Sequence, residues 1–393
     1  MRPKAVTGPP CIILAEEVWG SALHAARSIG RGGVAAYIVT AGRGATVYSR
    51  SRYCAKALDV EFGDSNLFCN EVADWVERQS PSTGSIPVIP LSDRLVECLD
   101  RGRQAFSDRF RLGVPPTAIV NPLLSKSESL RIAERAGLKV PRWRLVSSEA
   151  DLSSTDDLQL PIAVRPTSWS TVGARYFKIA LYRQREALLE GLRSMLARGA
   201  ELIVQEYVDA SDQSVEFAIL WRSADQSMTA ICTGRKRRQA APEGGVMIWG
   251  EATPLPEVSE ATVQFLAVSG FTGLGGVEFI RQGGKHWFIE FNPRLEAIHF
   301  LAARAGVDTV LMAYHELALG ELPMSIPRQG PAAAWIGSAA LSRLRTNLSD
   351  SGLLLKDRWA FQRAPNRVRA VASMADPLPA LAVTARILSR GTR

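Results

Sequence analysis

Short apolar runs alternate with amphipathic, helix-like segments over the first third of the chain. Apolar runs of about four to eight residues are typical of strands buried in a parallel sheet. The strands are predicted at residues 11–15, 34–39 and 86–90, and the helices at residues 21–30, 66–77 and 93–103. This alternation predicts an α/β domain built on a parallel sheet.

The turn after the first strand limits what this domain can bind. A Rossmann dinucleotide site needs G-x-G-x-x-G there, so that the backbone can approach a pyrophosphate. The turn instead reads Ala15-Glu-Glu-Val-Trp-Gly20, and its two acidic residues would repel phosphate. We therefore expect a Rossmann-like fold without a dinucleotide site.

The pattern changes after Val114-Pro-Pro-Thr117, where shorter and more polar strands take over. Helices are predicted at residues 127–136, which end at Gly137, and at residues 186–197. Strands are predicted at residues 139–143, 160–166, 176–180, 202–208, 214–221 and 228–233. The last strong pattern is a hairpin of residues 276–280 and 286–291, followed by a helix through residue 305. These elements predict a second domain with antiparallel strands.

Length and composition fit an ordered globular protein of two or three units. The chain has 393 residues, of which 46% are apolar and 22% are charged, and it lacks the run of ~18 to 20 apolar residues that a membrane span requires. The apolar run at residues 11–15 is short and meets Glu16 and Glu17 at once, which argues against a secretory signal. Five cysteines without a CxxC pair argue against a disulfide framework and a zinc site. We therefore expect a cytoplasmic protein.

Positive charge is concentrated near the C-terminus. The formal net charge is +8, and residues 331–393 contain ten Lys or Arg against three Asp or Glu. A solvated surface, an anionic partner or peripheral contact with an anionic membrane would each explain this, the last through residues 378–390. Nucleic acid is not an expected partner, because no helix-turn-helix, zinc-finger or RNP pattern is present.

The predicted hairpin carries the most specific chemical signal. Glu290 and Asn292 are two residues apart and therefore share one face of a strand. If residues 283–285 form a three-residue loop, Glu278 of the partner strand faces Glu290, whereas a two-residue loop would place it on the opposite face. Two carboxylates and a carboxamide on one face suit magnesium that bridges phosphates. The flanking residues are apolar, which makes an ordinary solvated hairpin the poorer interpretation.

Glu278, followed twelve positions later by Glu290-Phe-Asn292-Pro-Arg294, resembles the signature of ATP-grasp enzymes such as biotin carboxylase and the large subunit of carbamoyl phosphate synthetase. The resemblance implies that Glu278, Glu290 and Asn292 hold Mg²⁺ or Mn²⁺. It implies that Arg294 faces the reacting phosphate or acyl group. It also implies a two-lobed α+β ATP-grasp domain after the Rossmann-like domain, which would be the pre-ATP-grasp domain.

The resemblance covers roughly residues 5–325 and supplies an ATP site. It implies two phosphate-binding cations, an adenine-binding hinge near residues 205–208 and an acid for the ribose. The residues that match these roles are Lys126 and Arg165, then Gln205, Glu206 and Val208, then Asp212 or Glu216.

Three further motifs look most like the carboxylate–amine ligase branch, which contains D-aspartate ligase-like proteins. They are Ser51-Arg-Tyr-Cys54, Pro90-Leu-Ser-Asp93 and Gly234-Arg-Lys-Arg-Arg238. In this branch Arg235, Lys236 and Arg238 would enter the site and neutralise the carboxylate or acyl phosphate. An exposed loop is the alternative interpretation of four consecutive cations.

Two positions depart from the ATP-grasp pattern. The phosphate-covering loop is usually rich in glycine, so that backbone N–H groups can wrap the phosphates, but residues 167–175 contain only Gly173. Ser125 stands where an acid usually precedes the first lysine. Neither change removes a metal ligand. The expected effect of the glycine-poor loop is therefore on its closure over the nucleotide and on the turnover rate.

The sequence therefore predicts an ATP- and magnesium-dependent ligase that activates a carboxylate as an acyl phosphate for attack by an amine. Its expected partners are a small-molecule carboxylate and amine, with Glu296, His299 and Arg304 near the acceptor pocket; a homodimer is expected only by analogy. A nucleotide-binding regulatory module without turnover and a bicarbonate-using, carboxylase-type enzyme are the alternatives. The expected domains are residues 1–124, residues 125–328 and a small basic C-terminal appendage of residues 329–393, expected to be helical.

Overall fold

The computed structural model describes residues 8–16, 19–80, 84–167, 179–241 and 245–390. The first domain is a five-stranded parallel sheet with the order β3-β2-β1-β4-β5, which confirms the predicted α/β domain. Its strands are β1 (Cys11–Ala15), β2 (Ala36–Ala41), β3 (Cys54–Val60), β4 (Ile86–Pro90) and β5 (Phe110–Leu112), and its helices are α1 (Trp19–Arg31), α2 (Ala45–Tyr48), α3 (Ser65–Gln79), α4 (Asp93–Arg101) and α5 (Thr117–Leu124).

The strands at the two edges of this sheet escape the sequence pattern. β1 and β4 are buried along their whole length, as their continuous apolar runs predict. β3 is an edge strand that carries Lys56 and Asp59, and β5 has only three residues. Neither therefore has the long apolar run on which prediction of a buried strand depends.

A small antiparallel sheet follows, with the order β6-β9-β7-β8. Its elements are α6 (Lys126–Arg135), β6 (Trp143–Val146), β7 (Ile162–Pro166), β8 (Ala180–Tyr182), α7 (Arg185–Leu196) and β9 (Leu202–Glu206). The glycine-poor loop predicted to cover phosphates and most of the strand predicted at residues 176–180 lie outside the described residues.

The largest sheet has seven described strands in the order β14-β13-β10-β11-β12-β15-β16. Its strands are β10 (Val215–Arg222), β11 (Thr229–Gln239), β12 (Met247–Ala252), β13 (Gly273–Gln282), β14 (Lys285–Asn292), β15 (Ala332–Trp335) and β16 (Arg367–Arg369). The helices are α8 (Pro256–Ser269), α9 (His299–Arg304), α10 (Thr309–Tyr314), α11 (Gly337–Thr346), α12 (Ser351–Arg363) and α13 (Leu378–Arg390). One apolar core joins β1 and α1 to β10 and α9, and a second lies on the other face of the sheet around Phe265, Phe288 and Phe291.

The β13–β14 hairpin differs from its prediction in a way that matters for the site. Gln282 pairs with Lys285, so the turn has two residues rather than three. Gly283 and Gly284 have φ angles of 59° and 70°, which suit a tight hairpin turn that ordinary residues adopt poorly. A β-bulge at Ile289 then shifts the register by one residue and brings Glu278 opposite Glu290. The predicted three-residue loop is wrong, and the bulge supplies the odd residue instead.

The C-terminal residues are part of the large sheet rather than a docked helical appendage. β15 pairs with β12, and β16 pairs with β15. Arg27 of α1 also forms a buried ion pair of 2.9 Å with Asp376. No helix within the described ranges is long and apolar enough to cross a membrane.

Candidate active site

A cavity of about 340 Å³ lies between the small sheet and the large sheet. Its walls come from β7 and β9 on one side and from β10, β13 and β14 on the other, and its volume is typical of a small-molecule site. Eight of the residues singled out from the sequence line this cavity: Lys126, Arg165, Gln205, Val208, Glu278, Glu290, Asn292 and Arg294.

The oxygen-bearing wall of the cavity belongs to the hairpin. Glu278 and Glu290 are direct cross-strand partners, and Asn292 lies two residues further along β14, so the three side chains share a face. We call them the metal-ligand face. Within the described residues, no three His, Cys, Asp or Glu side chains form a group that could hold a metal by themselves. The donor set therefore fits magnesium that takes further ligands from phosphate and water oxygens.

Lys236 on β11 reaches the same face across β10, the strand that lies between β11 and β13. Its Nζ lies 2.7 Å from Oε1 and 2.8 Å from Oε2 of Glu278, and the lysine side chain is buried. A carboxylate that is largely removed from water destabilises the folded protein unless a cation pairs with it. Lys236 thus does not line the cavity itself but is in contact with a residue that does.

Two cations of the small lobe face the cavity. Arg165 is buried, and its Nη2 donates a hydrogen bond of 2.8 Å to Oε1 of Gln205. Burial lowers the pKa of Arg165, and the charge of Glu290 partly opposes that shift. Its Nε has no partner among the described residues. Lys126 is the first residue of α6, a helix whose N-terminus is capped by Ser125, and it is the second of these cations.

Arg294 is the third cation, and acidic groups hold its guanidinium in place. Nε donates to Oδ1 of Asp93 at 2.9 Å, Nη2 donates to Oδ1 of Asn292 at 3.2 Å, and Glu296 lies 3.6 Å away. Burial alone would lower the pKa of Arg294, but Asp93, Glu296 and Glu290 outweigh it and raise the pKa above its usual value. Lys126, Arg165 and Arg294 are called the three cations below.

Asp93 is a lining residue to which the sequence analysis gave no chemical role. It is the first residue of α4, and Ser92 caps that helix by accepting a hydrogen bond from the N–H of Leu95. The signal that could have found it is positional. Ligands of open α/β sheets bind beyond the carboxyl ends of the strands, and Asp93 comes just after the end of β4.

Glu296 is a buried carboxyl group beside Arg294. Burial raises its pKa, the charges of Glu278 and Glu290 add to the shift, and Arg294 opposes it. Its Oε1 has no hydrogen-bond partner among the described residues. Glu296 packs against Gly276, where a Cβ atom would come within 2.3 Å of its Cγ. The glycine therefore leaves room for this carboxyl at the end of the metal-ligand face.

Part of the cavity lining is apolar. Val208 and Tyr207 line it after β9, and Val215, Ile280 and Ile289 line it from the large sheet. An apolar lining of this kind suits a purine ring. The side chain of Glu206 lies outside the lining, because its Oε1 accepts a hydrogen bond of 3.0 Å from the N–H of Gln159.

Three further predicted site residues lie away from the cavity. Glu216 pairs across the strands with Phe279 rather than Glu278, so it points to the other face of the sheet. There it is fully buried and binds Arg235 at 2.6 Å and Nδ1 of His286 at 2.7 Å. Asp212 and Arg238 are ion-paired with each other and with C-terminal residues. Because the structure does not bring these three to the cavity, we leave them out of the site proposed below.

The four consecutive cations at residues 235–238 lie on β11, which corrects the exposed-loop interpretation. Each of them is paired with a carboxylate. The pairs are Arg235 with Glu216, Lys236 with Glu278, Arg237 with Glu251, and Arg238 with Asp212 and Asp357.

Comparison with known families identifies the domain that holds this cavity. Residues 126–298 match the family model of the ATP-grasp domain. Residues 126–298 of the chain therefore form an ATP-grasp domain, as the Glu278 and Glu290-x-Asn292-Pro-Arg294 signature indicated.

Solved structures share the fold over most of the chain. N5-carboxyaminoimidazole synthetase from Staphylococcus aureus, complexed with ADP, is similar over 85% of this chain and 83% of its own, with a TM-score of 0.62 and 13% identity. The L-amino acid ligase from Bacillus licheniformis is similar over 79% and 74%, with a TM-score of 0.56 and 13% identity. The biotin carboxylase–β-γ-ATP complex from Campylobacter jejuni is similar over 81% and 72%, with a TM-score of 0.60 and 15% identity. No curated protein sequence matches this one.

Proposed function

We propose that the protein is an ATP- and magnesium-dependent ligase that activates a carboxylate as an acyl phosphate for attack by an amine. The observation that carries the proposal is a single cavity whose lining combines apolar side chains, some of them beside the hinge, with three cations and the metal-ligand face. A purine matches the apolar part of this lining, and a triphosphate matches the charged part. The fold of enzymes solved with ADP or as an L-amino acid ligase supports the same proposal.

The chemistry explains why such a site needs cations. A carboxylate resists nucleophilic attack because the attack would add a second negative charge. Transfer of the γ-phosphoryl group to a carboxylate oxygen creates a mixed anhydride with a good leaving group, which the amine then displaces. The transferring group carries spread negative charge, so catalysis depends mainly on positioning and positive charge. Magnesium held by the metal-ligand face would supply part of that positive charge.

The residues of this chain would supply the rest. Lys126 and Arg165 neutralise the phosphates from the small lobe, each from an ordered strand or helix terminus. Arg294 is fixed by Asp93 and Asn292, so its guanidinium meets an incoming oxygen with little loss of side-chain freedom. Lys236 is proposed to act through Glu278, whose carboxylate it holds in place.

The test is a phosphate-release assay with MgATP against pools of amino acids, small carboxylates and bicarbonate. We expect release that requires one carboxylate together with one amine. Glu290→Gln should lower the rate by about 10²- to 10³-fold, because it removes a charged metal ligand. Glu251→Gln is the matched control, because Glu251 is ion-paired with Arg237 on the same sheet but does not line the cavity. Its rate should stay within about threefold of the parent.

The outcomes separate the proposal from its alternatives. Release that needs bicarbonate rather than an organic acid would select the carboxylase-type enzyme. Binding of MgATP without release in any pool would favour a nucleotide-binding regulatory module, and no binding of ATP would contradict the proposal altogether. We also propose a cytoplasmic location, which is supported by five cysteines that are all free, buried thiols.

A further inference from the structure

A second and larger cavity lies between the first domain and the C-terminal residues. It encloses about 950 Å³ and is bordered by the second half of α1, the end of α9, strand β16 and the segment that leads into α13. Among the described residues, none lines both this cavity and the candidate active site. The ATP-grasp family match spans residues 126–298 and includes none of this cavity's described lining residues.

The two cavities lie toward opposite ends of the strands of the parallel sheet. Asp93, in the active-site lining, follows the carboxyl end of β4, and α1 starts near the carboxyl end of the adjacent β1. α1 then runs back for 13 residues to Arg31, a length of about 18 Å at 1.5 Å per residue. Arg31 lines the second cavity.

Four exposed arginines on three different elements line this cavity. Arg31 ends α1, Arg304 ends α9, and Arg367 and Arg369 flank Val368 on β16. None of the four has a carboxylate within 4.0 Å among the described residues. The described lining contains no Asp or Glu. In contrast, the four adjacent cations of β11 are all paired.

Asp376, an acid between two lining residues of the cavity in sequence, is already paired with another cation. Asp376 is buried, and its Oδ2 accepts hydrogen bonds from Nε of Arg27 at 2.9 Å and from Oγ of Ser51 at 2.7 Å. Its Oδ1 accepts from the N–H of Arg52 at 3.0 Å. These bonds fix the segment before α13 against α1 and the loop before β3. These bonds, called the Arg27–Asp376 clamp below, therefore hold the wall of the cavity in place. Because Asp376 is engaged in them, it does not pair with any of the four arginines.

The local electrostatics agree with an excess of positive charge. The pKa of Arg358, which lies on α12 close to β16, is lowered by burial first and then by the charge of Arg369. Like charges brought to one concave surface repel each other unless an anion is present between them. Guanidinium groups bind phosphates and carboxylates through paired N–H donors, which favours a ligand that has several such groups. The ring of Tyr53 and the side chain of Met374 add apolar surface to the same lining.

We propose that this cavity binds a small organic polyanion that carries two or more phosphate or carboxylate groups. The site is formed by Arg31, Arg304, Arg367 and Arg369 and is held open by the Arg27–Asp376 clamp. It is separate from the ATP-grasp cavity and does not rest on the proposed ligase activity. The volume admits a ligand with a carbon skeleton, because ligand sites of about 300 to 1,000 Å³ hold molecules of that size.

The experiment is isothermal titration calorimetry of the full chain with pyrophosphate and, separately, with citrate, at low salt and without nucleotide or magnesium, because ATP is itself a polyanion and both probes chelate the metal. The test variant is the double substitution R367Q and R369Q, which removes the two charges but keeps polar side chains. The matched control is R78Q with R193Q, which removes the same charge from two exposed arginines outside both cavities. The proposal expects the test variant to weaken binding about tenfold or more, because it removes charge-assisted hydrogen bonds, and the control to change it less than about twofold.

The outcomes either support or overturn the site. Tighter binding of pyrophosphate would identify a phosphate-bearing ligand, and tighter binding of citrate would identify a polycarboxylate. Binding of neither probe to the parent chain, or equal weakening by both double variants, would overturn the proposal. If the R367Q and R369Q chain melts at a lower temperature than the parent, R31Q with R304Q repeats the test from α1 and α9. The same loss of affinity is then expected, and its absence would count against the site.

Discussion

At the scale of single residues, Glu296 has the most unusual surroundings in the candidate active site. Its carboxyl is buried, one of its oxygens has no partner among the described residues, and both acids of the hairpin are close enough to raise its pKa. A carboxyl in this position holds a proton more readily than one in water. It could therefore donate a hydrogen bond to a bound anion beside Arg294.

The raised pKa of Glu296 gives a prediction about stability and pH. When the folded-state pKa lies above the unfolded value, the unfolded chain loses its proton first, so this group makes stability fall as pH rises through the two values. The Glu296→Gln variant lacks that loss. We expect its free energy of unfolding, relative to the parent, to be higher at about pH 8 than at about pH 5, by urea denaturation at both.

An exposed carboxyl provides the control for that comparison. Glu257→Gln, on the exposed side of α8, should shift the free energy of unfolding equally at the two pH values. A Glu296→Gln difference that is the same at both values would contradict the assignment of a raised pKa.

Residue spacing was enough to predict most of the cavity lining but not the face of every strand. The spacing of Glu290 and Asn292 places both on one face whatever the fold. The orientation of Glu216 depends on its pairing with Phe279 of β13, a strand more than sixty residues further along the chain. That register is a tertiary property, and so the sequence could not show that Glu216 points to the opposite face.

At the scale of elements, the hairpin shows how a turn and a bulge together set the geometry of the site. Two glycines with positive φ close the turn, and Ile289 adds the residue that aligns Glu278 with Glu290. The carbonyl of Ile289 also faces the guanidinium of Arg165 at 3.4 Å. The requirement that the two acids face each other was predictable from chemistry. The β-bulge that achieves this was not predictable, because a single extra residue in a strand of eight residues does not produce a recognisable change in the alternation of apolar and polar positions.

The turn yields a prediction about backbone strain. Gly284 has a φ of 70° and open space where a Cβ would lie, so Gly284→Ala should lower the free energy of unfolding by about 1 kcal/mol through strain alone. Gly63 also has open space but no positive φ, and Gly63→Ala should be neutral or stabilising by up to about 1 kcal/mol. Thermal or urea unfolding of the two variants checks this, and an equal effect would contradict it.

At the scale of the whole molecule, the C-terminal residues complete the domain that carries the site. The sequence indicated their basic character, but β15 is four residues long and pairs with a strand eighty positions earlier. Such a short segment has no periodicity that distinguishes it from a loop. Its place in the sheet follows from long-range packing alone.

Buried ion pairs join these residues to β11. Arg238 is paired with Asp357 of α12 and with Asp212, which also pairs with Arg343 of α11. Asp357→Ala should lower the free energy of unfolding by about 3 kcal/mol, because it leaves part of a buried charge unpaired. Asp157→Ala is the control, since Asp157 pairs with two arginines and its side chain is 49% exposed. This substitution should lower the free energy of unfolding by less than about 1 kcal/mol. Similar losses in the two variants, measured by urea unfolding, would contradict a structural role for the network.

The strand order of the large sheet has a consequence for the nascent protein. The Glu278–Glu290 hairpin is synthesised before β15 and β16, yet β12 keeps an open edge until β15 arrives beside it. An unpaired edge can template pairing with another chain, and long-range pairing of this kind is slow to form. Each newly made chain therefore passes through a stage in which the active-site residues exist but the sheet that supports them is incomplete. Chain termination before residue 332 would leave the protein at that stage.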